Sequence, residues 1–381
     1  MAVREHAGLA SGSRDSPLIW FDHQIFSFQR YGGVSRYFYE LSKSINTRSD
    51  MRAHIFAPLH ANAYLRKGDV GAGVRIYAPY PSRGLRFRPR LLTPILRMAM
   101  QVWRPDVLHE TYYGLDHAHL ARGQRVVTTI HDMVYEKFPG LLDRSDERIA
   151  MKYASIRRAD QVICISDNTR KDLLDIYPEF EDKVSVVHHG VSYVEPCERS
   201  DLEFPEPYLL FVGTRSHYKN FERFIQAIGT SAFLRNNFGL TLFGGGELTS
   251  AERTMISAAG LPEQRVLQIS GSDELLSLAY RRATAFVFPS EYEGFGMPLT
   301  EAMQHGCPVL CSGASCFPEI CGDAAEYFDP SDLDDMRGVL ERTLASQARL
   351  AELASAGARR GRDFSWNKCA DETAEVYRKL L

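Results

Sequence analysis

Apolar residues fall in short runs, separated by stretches in which they recur every three or four positions. The first run covers residues 18–22 and is bounded by polar residues. Residues 29–36 follow with the pair Gly32-Gly33, and then an amphipathic helix over 34–45. Further runs at 53–57, 74–78, 107–109, 126–131, 161–166 and 184–188 predict strands, several of them separated by helix-length segments. Strand, helix, strand repeated in this way predicts a parallel sheet with helices on both faces.

The pattern breaks near residues 194–207 into Glu, Pro, Cys and Ser, then restarts. Strands are expected at 208–213, 239–243, 266–269, 284–289 and 308–312. Helices are expected at 220–228, 273–281 and 299–305, with a long exposed helix at 332–357 and a closing one at 368–381. The expected organisation is a disordered leader (1–17), a Rossmann-like α/β domain (18–195) that the family resemblance described below makes the acceptor side, a linker (196–207) and a second Rossmann-like domain (208–362) that the same resemblance makes the nucleotide-sugar-binding one. The last segment (363–381) is expected to pack back on the first domain. Doubly wound domains bind ligands at the carboxyl ends of their strands, so the site is expected in a cleft between the two.

Composition narrows the classes without changing this picture. With 381 residues the chain is long enough for two domains, and 44% hydrophobic with 24% charged residues is ordinary globular composition. A net charge of -3 gives no global field for nucleic acid. No apolar stretch approaches the length of a membrane span, and residues 1–16 lack the apolar core of a secretory signal. The seven cysteines are odd in number, which fits reduced thiols in the cytosol. Four of them, Cys307, Cys311, Cys316 and Cys321, are close in sequence but lack the C-x2-C pairs of a zinc knuckle, so no metal is expected.

Three glycine-rich strand ends carry candidate chemistry: Gly32-Gly33, Gly213 and Gly244–Gly246. None completes a P-loop or G-x-G-x-x-G, and tight strand-to-helix turns use glycine for their own reasons. Lys219 says more. It stands where a strand turns into a helix, the unfavourable end of the helix dipole for a cation. A bound diphosphate, held by backbone N–H groups and Lys219 with Arg215 as a second charge, would compensate; a solvated lysine is the other reading.

Residues 288–303 bring together Glu293, Gly294, Phe295, Gly296, Met297, Pro298 and Glu301. The glycines let backbone approach a ligand, and Pro298 fits a first helical turn, which is expected to hold Glu301 as well. Two carboxylates there suit the vicinal hydroxyls of a ribose and a hexose. The other reading makes Glu301 a dipole partner and Glu293 a surface charge.

These residues carry a resemblance. The spacing from Glu293 to Glu301 resembles the Glu-x7-Glu motif of retaining glycosyltransferases, and residues 288–329 resemble glycosyltransferase family 4. Residues 211–220, 161–173, 187–191 and 364–366 extend the similarity over most of 18–381. The resemblance implies a GT-B fold, two Rossmann-like domains with the nucleotide-sugar held mainly by the second. It implies that Glu301 binds the ribose, Glu293 lies near the transferred sugar, and amides around Phe295–Met297 contact sugar and phosphate. It further implies that Lys219 neutralises the diphosphate, Gly33 and Gly213 give it room, and His131 contacts the donor sugar. The family often has Arg where this chain has Tyr218.

The activity implied is retaining transfer of a hexose, with mannose from GDP-mannose the first expectation, to a hydroxyl of a glycan or polyprenyl-diphosphate-linked acceptor in polysaccharide synthesis. A UDP-hexose donor and a non-catalytic nucleotide-sugar-binding subunit remain the alternatives. No metal or other cofactor is expected; the triplet 332–334 reads as a helix start rather than a metal-binding D-x-D. The segment Arg83 to Arg104 has six arginines, no acid and interleaved apolar residues. It suits an anionic membrane surface, although Pro89 and Pro94 are expected to interrupt a long helix. The expected location is cytoplasmic, with peripheral attachment to the inner face of the membrane.

Overall fold

Consecutive buried residues, rather than alternating ones, mark the strands, as parallel sheets covered on both faces require. The structure is a computed structural model that describes residues 16–66, 76–77, 88–114, 123–140, 144–197 and 202–381. In the first half the strands are β1 (Leu18–Phe21), β2 (Arg52–Ile55), β3 (Leu59–His60), β4 (Ile76–Tyr77), β5 (Val107–Glu110), β6 (Arg125–Ile130), β7 (Gln161–Cys164) and β8 (Val184–Val186). The second half adds β9 (Tyr208–Val212), β10 (Gly239–Phe243), β11 (Val266–Ile269), β12 (Ala285–Phe288), β13 (Val309–Ser312) and β14 (Ala325–Phe328).

Two six-stranded sheets result, ordered β2-β1-β5-β6-β7-β8 and β11-β10-β9-β12-β13-β14. In each, the first strand of its half pairs in parallel with a neighbour on either side, which is the doubly wound arrangement. Alternation within β9 shows how the second sheet is covered. Leu209 and Phe211 join a core with the helix Phe221–Thr230, whereas Tyr208, Leu210 and Val212 join one with the helix Met297–Gln304. Each fully buried Leu or Phe contributes about 1.5–3 kcal/mol of transfer free energy.

By contacts the chain falls into two units. One holds the residues up to Thr129, Ala150–Ile163 and Ala370–Leu381; the other holds Ile130–Ile149 and Cys164–Cys369. The division therefore does not follow the expected boundary at 195. Backbone packing of His131 on Gly294 draws the segment after β6 into the second unit. Within the first unit, His109 is fully buried, with Nδ1 2.7 Å from the Tyr377 hydroxyl and Nε2 2.8 Å from the Thr129 hydroxyl. Burial holds its pKa down to about 3, so the ring is neutral.

Several expectations need correction. Only residues 76–77 of the run 74–78 form a described strand, and β4 pairs with β3 in a separate two-stranded sheet. The long helix at 332–357 is two helices, Leu333–Leu344 and Gln347–Arg360, because Ser346 caps the second by accepting the Arg349 N–H. They are not simply exposed: Met336, Val339, Leu340, Leu350 and Leu353 are buried. Pro94 does not break the helix Arg88–Trp103. It stands on an exposed face, where water can satisfy the carbonyl that loses its donor. Of the expected leader, residues 1–15 lie outside the described residues, as do residues 83–87 of the arginine-rich segment.

Asp332 accepts the N–H groups of Asp334 and Asp335 as a helix cap, as the triplet's pattern predicts. All seven cysteines are free thiols, six of them buried and Cys197 partly exposed. Burial pushes the thiols of Cys307, Cys311 and Cys316 well up, which keeps them protonated.

Candidate active site

The loop after β9 holds Lys219 between two anchors. Gly213, with φ of 116°, starts the loop; a single 3-10 turn, His217–Lys219, follows, and Asn220 adopts a left-handed φ of 56° before the helix Phe221–Thr230. Asparagine is among the few non-glycine residues that visit that conformation, and here its amide donates to the Pro330 carbonyl, distant in sequence, at 2.8 Å. On the other side, the Tyr218 carbonyl accepts the Glu291 N–H at 2.7 Å. Lys219 thus precedes the helix rather than opening it. Its ammonium pairs with the Glu293 carboxylate and lies 5.2 Å from the Tyr218 ring centroid and 5.7 Å from that of Phe288. Burial alone would lower the Lys219 pKa, but the Glu293 charge and hydrogen bond outweigh it and the pKa is raised. The anion expected opposite the lysine is, in the free protein, a carboxylate.

The Glu293 backbone is pinned by Ser315. The Glu293 N–H donates to the Ser315 hydroxyl at 3.2 Å, and that hydroxyl donates to the Glu293 carbonyl at 2.7 Å. The next residue answers for its own glycine: a Cβ on Gly294 would overlap the His131 carbonyl oxygen. The Ser166 hydroxyl donates to the Gly294 carbonyl at 2.7 Å. Close approach at Gly294 is therefore to protein backbone. The Phe295 side chain is core, stacked on His189 at 5.1 Å and edge-on to Phe364 at 5.5 Å. Gly296, with φ of 81°, caps the helix Met297–Gln304, and Pro298 sits in its first turn.

Glu301 is displaced from its expected place. The helix starts at Met297, so Glu301 is its fifth residue and no acid lies in the first turn. The Tyr280 hydroxyl donates to its Oε2 at 3.3 Å. The two carboxylates of the motif thus have different partners, Lys219 for Glu293 and Tyr280 for Glu301. His131 is buried, and its ring meets that of His189 edge-on at 5.7 Å. Gly33 opens the helix Gly33–Arg48 in the first unit.

Arg215 also differs from expectation. Its side chain is 3% exposed, with Nε on the Glu252 carboxylate at 2.6 Å. Nη1 donates to the Gly244 carbonyl, and Nη2 reaches those of Gly245, Gly246 and Glu247, at 3.0–3.2 Å. Gly244, Gly245 and Gly246 all have φ between 71° and 81°, which lets successive carbonyls turn towards one guanidinium. A Cβ on Gly245 would meet Arg215 at 2.6 Å. Arg215 is the frame of this loop, not an open second charge. Sequence reasoning could not find that role, because the acceptors are main-chain atoms about thirty residues away.

One cluster had no sequence signal. Glu319 accepts the N–H groups of Asp167 (2.8 Å) and Asn168 (3.0 Å) and lies 2.6 Å from His188 Nε2, tying the start of the helix Asp167–Ile176 to the segment after β8. Asp167, His188 and Glu319 have ligand atoms within 4.8 Å of one another. Burial would raise the Glu319 pKa, but these hydrogen bonds prevail and lower it.

Two doubly wound sheets, with a paired lysine and glutamate on strand-to-helix loops of the second, define the GT-B class of sugar transferases. Residues 31–193 match the model of glycosyltransferase family 4, and residues 198–360 match that of the glycosyl transferases group 1. The chain belongs to this family and is a hexosyltransferase. It is 28% identical over 306 residues to O-antigen chain mannosyltransferase B of Escherichia coli, covering 76% of this chain and 79% of that protein. Sucrose-phosphate synthase from Thermosynechococcus elongatus shares the fold with a TM-score of 0.74 at 19% identity, over 96% of this chain and 99% of that one. The Anabaena protein HepE, solved with UDP and glucose, aligns with a TM-score of 0.72 at 17% identity, over 95% of this chain and 100% of its own.

Proposed function

We propose that the protein transfers mannose from GDP-mannose, with retention at the anomeric carbon, to a hydroxyl of a glycan or polyprenyl-diphosphate-linked acceptor. The observation that carries the reading is the Lys219–Glu293 pair, which holds a largely buried cation in the loop after β9 with one hydrogen bond among the described residues. The mannose assignment rests on the name of the Escherichia coli relative. A UDP-hexose is the second reading, favoured by the UDP in the HepE structure.

In this reading Lys219 leaves Glu293 for the diphosphate when donor binds, and stabilises the charge that grows as the C1–oxygen bond breaks. Glu293 then turns to the hydroxyls of the transferred sugar. Glu301 takes the ribose hydroxyls, while Gly213 and the amides of Gly294, Phe295, Gly296, Met297 and Pro298's turn line diphosphate and sugar. His131 contacts the donor sugar, and Arg215 acts by positioning the 244–247 loop. The acceptor oxygen attacks from the face the phosphate leaves, and the leaving phosphate oxygen takes its proton. No divalent metal is needed, since the charge falls to Lys219 and backbone amides.

A thermal-shift panel of GDP-, UDP-, ADP- and dTDP-sugars tests the donor. The right one at about 100 times its dissociation constant stabilises by about 2.7 kcal/mol. Incubation with that donor and an acceptor extract should add one hexose by mass. Binding without any transfer would favour a non-catalytic subunit. Activity lost in EDTA and restored by manganese would sink the metal-free account. A sugar ester trapped on Glu293 with a fluorinated donor would replace same-face attack by double displacement.

The helix Arg88–Trp103 supports a peripheral membrane role. Ile95, Met98, Val102 and Trp103 are 41–68% exposed, with exposed Arg97 and Arg104 beside them. Among the described residues no helix is long and apolar enough to cross a membrane. An amphipathic helix lying on anionic headgroups fits this pattern. Flotation with phosphatidylglycerol vesicles should be lost in Met98→Glu/Val102→Glu.

A further inference from the structure

Among the described residues, four other than glycine have a left-handed φ: Arg104, Arg144, Asn220 and Ser315. Two of the four adjoin the Lys219–Glu293 pair. Asn220 follows Lys219 in the chain, and Ser315, with φ of 56°, holds the backbone of Glu293. A serine in that conformation carries the Cβ crowding that glycine escapes. Such outliers persist only where the surrounding structure over-determines them. What Ser315 supplies, and glycine could not, is a hydroxyl.

Ser315 lies between β13 and the helix Phe317–Cys321. Its Oγ accepts the Glu293 N–H at 3.2 Å, accepts the Asn168 amide weakly at 3.4 Å and donates to the Glu293 carbonyl at 2.7 Å. One proton and two lone pairs are all that a hydroxyl has, so its orientation is fixed. The residues on either side of Glu293 are held by other means. The Tyr292 hydroxyl donates to Asp172 at 2.9 Å and accepts the Met133 N–H at 3.1 Å. The Gly294 carbonyl accepts the hydroxyls of Ser166 at 2.7 Å and Thr169 at 3.2 Å. Glu293 itself is left to Ser315, with the Cys316 thiol reaching the same carbonyl at 3.3 Å. Removing the Ser315 hydroxyl therefore loosens the two peptide planes that meet at the Glu293 Cα while its neighbours stay in place. Those planes aim the carboxylate that pairs with Lys219.

We propose that Ser315 is a positioning residue for the transfer and acts through Glu293, whose side chain it aims. This rests on the role given to Glu293 above. Ser315→Gly and Ser315→Ala test it, because both lose the hydroxyl but only alanine keeps the crowded backbone. Stability should separate them, with the alanine variant melting lower. Turnover should not. It is read as nucleoside diphosphate released from GDP-mannose and from UDP-glucose with the acceptor extract, and kcat should fall at least about tenfold in both variants. Affinity for free GDP and UDP, by titration calorimetry, should stay close to that of the wild type. In a Glu293→Ala background, Ser315→Gly should change kcat little, since no carboxylate is left to aim. The proposal is overturned if kcat follows stability, with the glycine variant near wild type, or if the loss is the same with and without the Glu293 carboxylate. Wild-type kcat in Glu293→Ala alone would remove the role of Glu293 and this proposal together. A slow Glu293→Ala beside an unimpaired Ser315→Gly would remove this proposal and leave the role of Glu293 standing.

Discussion

Arg215 and Lys219 stand four residues apart in one loop, both face a carboxylate and both are largely buried. The difference lies in what is left over. The Arg215 guanidinium is met by Glu252 and four main-chain carbonyls, so four of its five N–H donors are engaged by its own chain. The Lys219 ammonium has three donors, and its one hydrogen bond among the described residues goes to Glu293. Its other neighbours are ring faces. A cation held on all sides by its own chain is a structural part, and a cation with most of its donors in reserve is equipped for an incoming anion. The sequence, in which both are basic residues after a strand, does not distinguish them.

The comparison breaks first at Arg215. Arg215→Ala strands Glu252 and four carbonyls, and should cost about 3–5 kcal/mol of stability in chemical denaturation. Full stability with lost turnover would mean that Arg215 serves substrate after all. Lys219→Ala should act the other way, lowering kcat by about 10²–10³ and raising KM less. Its stability loss should be smaller than that of Arg215→Ala. Steady-state kinetics beside a melting curve reads both, and equal stability losses would erase the distinction.

Glu301→Ala should weaken free-nucleotide binding by about 1.5–3 kcal/mol by titration calorimetry. Unchanged affinity would remove the ribose role. The smallest effect is expected at Thr249, which forms a reciprocal capping box with Glu252, the carboxylate that also holds Arg215. Thr249→Ala should cost about 1 kcal/mol in a thermal melt. Additivity with Arg215→Ala would show that cap and loop frame are independent in spite of the shared glutamate.

What the sequence made legible follows from where the information is stored. β9 and β12 are uninterrupted apolar runs, β10 is broken only by Thr241 and β13 is apolar up to Ser312, and a buried parallel strand writes itself in that form. β14, with the sequence AEYF and two half-buried residues, carries no such run. The break at Ser346 has no glycine or proline to announce it, only a capping serine inside a helical pattern. In the candidate site, local spacing singled out Lys219 and Glu293, which the structure pairs, and the first helical turn that holds Pro298. The helix start at Met297 rather than Leu299 moved Glu301 out of the first turn, an offset of two residues that lies within the ordinary uncertainty of a helix end. The work of Arg215, and the aim of Gly294 at His131, are set by chain segments far away in sequence.

The buried thiols give the molecule a built-in clock. Six of its seven cysteines are sealed in the interior and Cys197 is partly open, so a thiol reagent meets one fast site and six that react only when their surroundings open. Cys307, Cys311, Cys316 and Cys321 all belong to the core against which Leu299, Ala302 and Met303, from the helix of Glu301, are packed. Their labelling rates, followed by mass spectrometry, therefore time the loosening of the framework beneath the motif. The native chain needs no engineered probe for that measurement, and Cys197 supplies the internal standard against which each hidden site is read.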